Sequence, residues 1–194
     1  MTELKKQVQL YFEKYDKSAP VALKLKDKMI IASPDRDVEV LQISQQSEGD
    51  RWLCQNIFKA KKGINAVIIS QLCHTKVISQ SGVTIPPILD DLAQIVGPSV
   101  RCSKSDNIMS ILARLVGRNA CTVKNKGAVA IGRTLDEADT GTKVLEKAAK
   151  AFIESSMIGG AKTISKFESV LMHIVYKLKY SKKDQSAKLK ELKK

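Results

Sequence analysis

Two segments of the 194-residue chain constrain its fold most: VALKLKDKMIIAS at 21–33 and ACTVKNKGAVAIG at 120–132. In the first, apolar and basic residues alternate around Lys26-Asp27-Lys28, which predicts two short strands joined by a turn. In the second, Ala120–Val123 and Ala128–Ile131 flank the turn Lys124-Asn125-Lys126-Gly127. A hairpin makes its two strands antiparallel neighbours. Two hairpins with helical stretches between them therefore argue for a mixed α/β layer fold rather than a regularly alternating parallel sheet.

The remaining stretches fill in that frame. Leu4, Val8, Phe12 and Tyr15 recur near helical spacing until Asp16-Lys-Ser-Ala-Pro20 breaks the pattern. VEVLQIS after Pro34 reads as another strand. From Asp50 to Lys61, Trp52, Ile57 and Phe58 fall roughly on one face, with Asp50 as a helix cap and Gly63 as the stop. That helix leads into the strand AVII, a polar step and a helix-like run to Ser81. GVTIPPI is an extended connection, because each proline disfavours helix in the residue before it. Helices are predicted over 103–116, with Ile108, Ile111, Leu112 and Leu115 inward; over 136–157; and over 165–180, with Phe167, Leu171, Ile174, Val175 and Leu178 inward. No strand-to-helix step carries a glycine-rich phosphate loop.

Composition bounds the function classes. Hydrophobic residues are 43% of the chain, enough for one buried core and a single domain over residues 1–181. No apolar run approaches the ~18 residues that span a bilayer, and MTELKKQVQLYFEKY lacks the apolar centre of a secretory signal, so the expected location is cytoplasmic. Cys54, Cys73, Cys102 and Cys121 form no C-x-x-C pair and are expected to be free buried thiols. The net charge is +13, of which residues 177–194 hold +6, so residues 182–194 read as a flexible, lysine-rich tail. Aromatics are 5% of the chain and interleave with no basic stretch, which argues against nucleic acid or an acidic surface as a partner except through that tail.

Four ordered strings carry a resemblance: NAVI at 65–68, IPPI at 85–88, NACTVKNKGAVAIGRTLDEA at 119–138 and VLEKAAKAF at 144–152. Together they resemble the class II aldolase and adducin head family, the fold of fuculose-phosphate aldolase and ribulose-phosphate epimerase, over about residues 1–160. The resemblance implies a three-layer α/β/α fold around a central, mostly antiparallel sheet, and a homotetramer with its sites at subunit interfaces. In the family's enzymes, a His-x-His at the end of the strand after NAV and a third histidine in the later hairpin turn hold Zn²⁺. Residues i and i+2 of a strand face the same side, so two imidazoles there can share one ion, which stabilises an enediolate as a Lewis acid.

Carried onto this sequence, the three ligand positions fall on Ile69, Gln71 and Lys126. Isoleucine offers no lone pair, glutamine is a weak zinc ligand, and lysine puts a positive charge where the cation would sit. The chain contains only His74 and His173, too few for a three-histidine site in one subunit. The family's acid position falls on Asp50, either a helix cap or an acid–base group. Its phosphate-binding positions fall on Ala19-Pro20 and Glu48-Gly49, where a proline lacks the donor and a glutamate repels the anion. Cys73 and His74, adjacent on a helix, diverge by ~100° and cannot readily share an ion; His173 reads as structural. Lys126 is either a surface turn residue or an ammonium in the old pocket that holds a small anion or forms a Schiff base.

The resulting expectation is a non-catalytic oligomeric scaffold or small-ligand binder without cofactor or metal, its pocket drawn from Asp50, Gln71, His74 and Lys126. A divergent lyase or epimerase acting on a sugar or sugar phosphate is the alternative.

Overall fold

A computed structural model describes residues 1–191, and side chains through residue 179. The chain runs α1 (Thr2–Lys14), β1 (Val21–Leu25), β2 (Lys28–Ser33), β3 (Arg36–Gln42), α2 (Gly49–Ala60), β4 (Ala66–Ser70) and α3 (Cys73–Ser81). A π-helical turn (Leu92–Val96), β5 (Cys102–Ser103), α4 (Ile108–Arg114), β6 (Ala120–Val123), β7 (Gly127–Gly132), α5 (Leu135–Ser156) and α6 (Lys166–Glu191) follow. The seven strands form one sheet in the order β3-β2-β1-β4-β7-β6-β5. Every pairing is antiparallel except β5 with β6. Both predicted hairpins are present, and β4 joins them by pairing with β1 on one side and β7 on the other.

Period-two alternation along these strands sorts side chains into layers. Val67 and Ile69 of β4, with Val129 and Ile131 of β7, pack with Ile57 and Phe58 of α2 and Ile111 of α4. On the other face, Ala66 and Ile68 meet Val8 and Phe12 of α1 and Leu135 and Ala138 of α5. Ala128 and Ala130 of β7 meet Leu145, Ala148 and Ala149 of α5. The result is the three-layer α/β/α arrangement. Phe58, Ile57, Ile68 and Leu145 are almost fully buried, and burial of a large apolar side chain contributes roughly 1.5–3 kcal/mol.

Polar contacts tie the helices together across the layers. Asp139 of α5 accepts from the Tyr15 hydroxyl at 2.7 Å and pairs with Lys14 at 2.7 Å and Lys143 at 2.9 Å. Glu146, about two turns further on, accepts from the backbone N–H groups of His74 and Thr75, each at 2.9 Å. These are orphan donors at the start of α3, so Glu146 acts as a long-range cap.

Several elements differ from expectation. Asp50 lies in the first turn of α2, whose cap position is Glu48 and carries no side-chain cap bond. Trp52 is 38% exposed while Ile57 and Phe58 are buried. The predicted helix from 103 begins only at Ile108, where the Asn107 side chain accepts from the Met109 N–H at 2.8 Å; Cys102–Ser103 is instead a strand. Cys54, Cys102 and Cys121 are buried free thiols as expected, but Cys73 is exposed.

The largest difference concerns α6. Its backbone continues past Tyr180 to Glu191, and the face predicted inward is exposed: Phe167 81%, Leu171 50%, Ile174 49%, Val175 54% and Leu178 57%. The buried face carries Ser169 and His173, whose Nδ1 donates to the Gln94 carbonyl of the π-helical turn at 2.7 Å. The expected flexible tail at 182–194 lies outside the residues whose side chains are described. Among the described residues no helix is long and apolar enough to cross a membrane.

Candidate functional site

At the end of the sheet where β4 and β6 stop and β7 begins, a cavity of about 630 Å³ opens between the β6–β7 turn, the start of α2 and the segments before β1 and β3. Its lining includes Ile69 and Gln71 from the end of β4, Lys126 from the β6–β7 turn, and Asp50 and Trp52 from α2. Ile69 and Gln71 share a side of the strand by the two-residue period. Gly127 brings the turn against them: its φ is +97°, and a Cβ there would lie 2.2 Å from the Ser70 carbonyl oxygen. Only glycine fits, which sets Lys126 beside the exit of β4. Ile111, Val123 and Val129 supply an apolar wall, and Pro20 and Gly49, at two of the positions the resemblance assigns to phosphate binding, also line the cavity.

Three of the four residues expected in a ligand pocket, Asp50, Gln71 and Lys126, meet here; His74 does not line the cavity. Its ring Nδ1 is 2.7 Å from Glu146 Oε1, so the imidazole belongs to the network at the start of α3. Cys73, its neighbour, makes no metal or nucleophile pair with it. His173 lies on the buried face of α6, away from the cavity, with its pKa lowered by burial. The Lys126 ammonium, 61% exposed, pairs with Asp106 Oδ2 at 2.7 Å, and that pairing holds the Asp106 carboxyl below the usual carboxylate range.

Asp50 is the cavity's other carboxylate. Desolvation raises its pKa, while the positive charge of Lys126 pulls in the opposite direction. The residue stands at the open side, in contact with solvent, which screens part of this effect. The orientation of its helix turn comes from the next residue. Arg51 reaches the β2–β3 corner, with Nη1 2.9 Å from Asp35 Oδ2, Nη2 3.1 Å from Ser33 Oγ and Nε bonded to Glu39. The guanidinium in turn depresses the Asp35 pKa to about 2. Sequence reading missed Arg51 because its partners lie 12 to 18 residues away. The only local signal was an arginine beside the acid position.

The donor set does not fit zinc. Ile69 presents hydrocarbon, Gln71 an amide, and Lys126 a cation already engaged by Asp106. Among the described residues no group of three or more His, Cys, Asp or Glu side chains could hold a metal ion.

The class II aldolase and adducin N-terminal domain family matches residues 39–153, more than half of the chain, and the protein belongs to that family. Among solved structures, one described as L-fuculose 1-phosphate aldolase superposes with a TM-score of 0.81 at 18% identity, covering 91% of this chain and 97% of its own. YgbL from Klebsiella pneumoniae, described as a putative aldolase/epimerase/decarboxylase, gives 0.73 at 16% identity, covering 89% and 98%. L-Fuculose 1-phosphate aldolase from Glaciozyma antarctica PI12 gives 0.71 at 15% identity, covering 88% and 80%. At these identities the likeness establishes the fold. Comparison with curated protein sequences gave no match.

Proposed function

We propose that this member of the class II aldolase and adducin family has given up the zinc and phosphate sites of its enzymes and acts as a non-catalytic, oligomeric scaffold or small-ligand binder. The observation that carries the reading is the composition of one cavity: the strand end and hairpin turn expected to supply three imidazoles supply Ile69, Gln71 and Lys126. Without a Lewis acid at that corner, an enediolate has no counter-charge except Lys126, which is held by Asp106.

The cavity itself remains, which favours ligand binding over simple decay. Asp50 and Asp106 outnumber Lys126 in its lining, so a neutral polar or cationic ligand suits it better than the small anion suggested by sequence. Trp52, Leu53 and Ile111 would cover the ligand's apolar side. The exposed apolar stripe of α6 supports assembly, since a second copy of the chain is the partner a symmetric contact would bring to it. The lysines of 182–194 are assigned to a dispensable appendage.

A second reading has one observation in its favour. The carboxyl of Asp50, raised by desolvation and facing a cavity large enough for a sugar, is suited to moving a proton, as a divergent lyase or epimerase requires. Titrating the protein with a panel of neutral sugars, sugar phosphates and small amines, followed by turnover assays on those that bind, separates the two. Binding without turnover supports the scaffold or binder; turnover abolished by Asp50→Asn supports the enzyme.

A further inference from the structure

At the opposite end of the sheet, where β4 and β6 begin, a second cleft of about 380 Å³ is lined by Lys61, Lys62, Arg118 and Lys177 together with Leu115 and Asn119. The run from Ala66 to Ser70 puts it ~13 Å from the cavity described above, and the two share no lining residue. Four cations converge there from the α2–β4 loop, the α4–β6 loop and α6, and among the described residues no Asp or Glu lines the cleft.

Helix ends account for part of this charge. Lys61 Nζ donates to the Leu115 carbonyl at 2.9 Å, and Arg118 donates to the carbonyls of Val116 at 2.8 Å and Ser99 at 2.9 Å, with a further bond to Ser99 Oγ at 3.0 Å. These acceptors are neutral, and the C-terminal ends of α2 and α4 contribute at most ~0.5 negative charge each. Lys62 and Lys177 have no ion-pair partner among the described residues. Arg118 is 8% exposed, a buried guanidinium with no carboxylate partner among the described residues. An arrangement of this kind is costly unless a counter-charge completes it.

The direction in which burial and neighbouring charge push these groups agrees. Burial lowers the pKa of Lys61; burial, then Lys61, lowers that of Lys177; burial, then Arg101 and Arg114, lowers that of Arg118. Lys61, Arg118 and Lys177 are each destabilised by their surroundings, and a bound anion would relieve all three. The adjoining carboxylate, Glu137, is already taken by Arg133, at 2.5 Å.

We propose that this cleft is a binding site for a small, multiply charged phosphate-bearing anion, separate from the family's pocket. Inorganic pyrophosphate is the probe, titrated calorimetrically into the full-length protein with orthophosphate as the weaker, less charged comparison. Saturable one-to-one binding, tighter for pyrophosphate, is expected, with amide shifts at Gly117 and Asn119 and none at Gln71 or Asn125. The double variant Lys61→Gln with Lys177→Gln is expected to weaken binding at least ~10-fold. If loss of the Lys61 bond to Leu115 impairs folding, Lys62→Gln with Lys177→Gln serves instead. A full-length variant with Lys188→Gln, Lys190→Gln and Lys193→Gln is expected to bind like the parent. No saturable binding, binding unchanged in the folded cleft variant, or binding lost with the tail lysines would overturn the proposal.

Discussion

Lys126 and Asp106 form an ion pair across the mouth of the cavity, Nζ to Oδ2 at 2.7 Å. The pair is exposed on both sides, so its contribution to stability is small. Its consequence is positional: the ammonium of Lys126, at the position the resemblance assigns to the third ligand, is turned towards a carboxylate. Replacing the three corners together, Ile69→His, Gln71→His and Lys126→His, is expected to create a zinc site, because the strand period and the Gly127 turn already set the geometry. Calorimetry with Zn²⁺ on the folded triple variant checks this. No gain over the parent would count against the correspondence of these positions.

Glu146 holds the start of α3 through the N–H groups of His74 and Thr75, the Thr75 hydroxyl and the His74 ring. Glu146→Ala leaves those donors unsatisfied and is expected to cost about 2–4 kcal/mol. Glu146→Gln, which keeps one acceptor oxygen, is expected to cost about half as much. Chemical denaturation reads both. Equal stability of Glu146→Ala and the parent would mean that α3 finds its cap elsewhere.

Acid is expected to weaken the fold in two stages. The pKa of His173 is lowered by burial from its ordinary 6.5, so the unfolded chain binds a proton that the folded chain refuses. Stability supplied by the neutral ring is present above about pH 6.5 and is lost as pH falls towards the folded value. His173→Asn, which can still donate to the Gln94 carbonyl, should flatten this stage. At Asp139 and Glu146, burial acts to raise the pKa, but hydrogen bonds outweigh it: Lys14, Lys143 and Tyr15 at the first, Thr75 and His74 at the second. Both end below their ordinary values of 3.8 and 4.5, so their contribution is full above those values and disappears as pH falls through the folded ones. Melting temperature against pH for the parent and His173→Asn resolves the stages.

The α6 stripe predicts assembly. The parent is expected to scatter light as an oligomer, and Leu171→Glu with Ile174→Glu to shift it towards the 21.4 kDa monomer without unfolding, because both residues are about half exposed in the single chain. A parent that is monomeric at micromolar concentration contradicts this.

What the sequence made legible was local. The alternation in 21–33 and 120–132, the amphipathic run into α5 and the short strand AVIIS each encode their structure within a few residues, and the structure contains them all. Long-range relations left little trace. Cys102–Ser103 is too short a strand to show periodicity and exists only because β6 offers it a parallel edge. The reach of Arg51 to Asp35 and Glu39 and of Glu146 to Thr75 depends on packing between distant segments. The stripe of α6 was visible, but the same apolar spacing serves a core and a subunit contact alike. The cavity is half legible: Ile69, Gln71, Lys126 and Asp50 can be placed by resemblance, whereas helical spacing puts Trp52 on one face with Ile57 and Phe58, and His74, expected in the pocket, lies outside it.

With Ile69, Gln71 and Lys126 at its corner, this cavity is expected to hold no metal. Elemental analysis of protein purified without chelator, after dialysis against zinc-containing and then metal-free buffer, tests it most directly. Far less than one zinc per chain is expected in the parent, and close to one in the triple-histidine variant. One tightly held zinc per parent chain, lost on Gln71→Ala or Asp50→Ala, would contradict it.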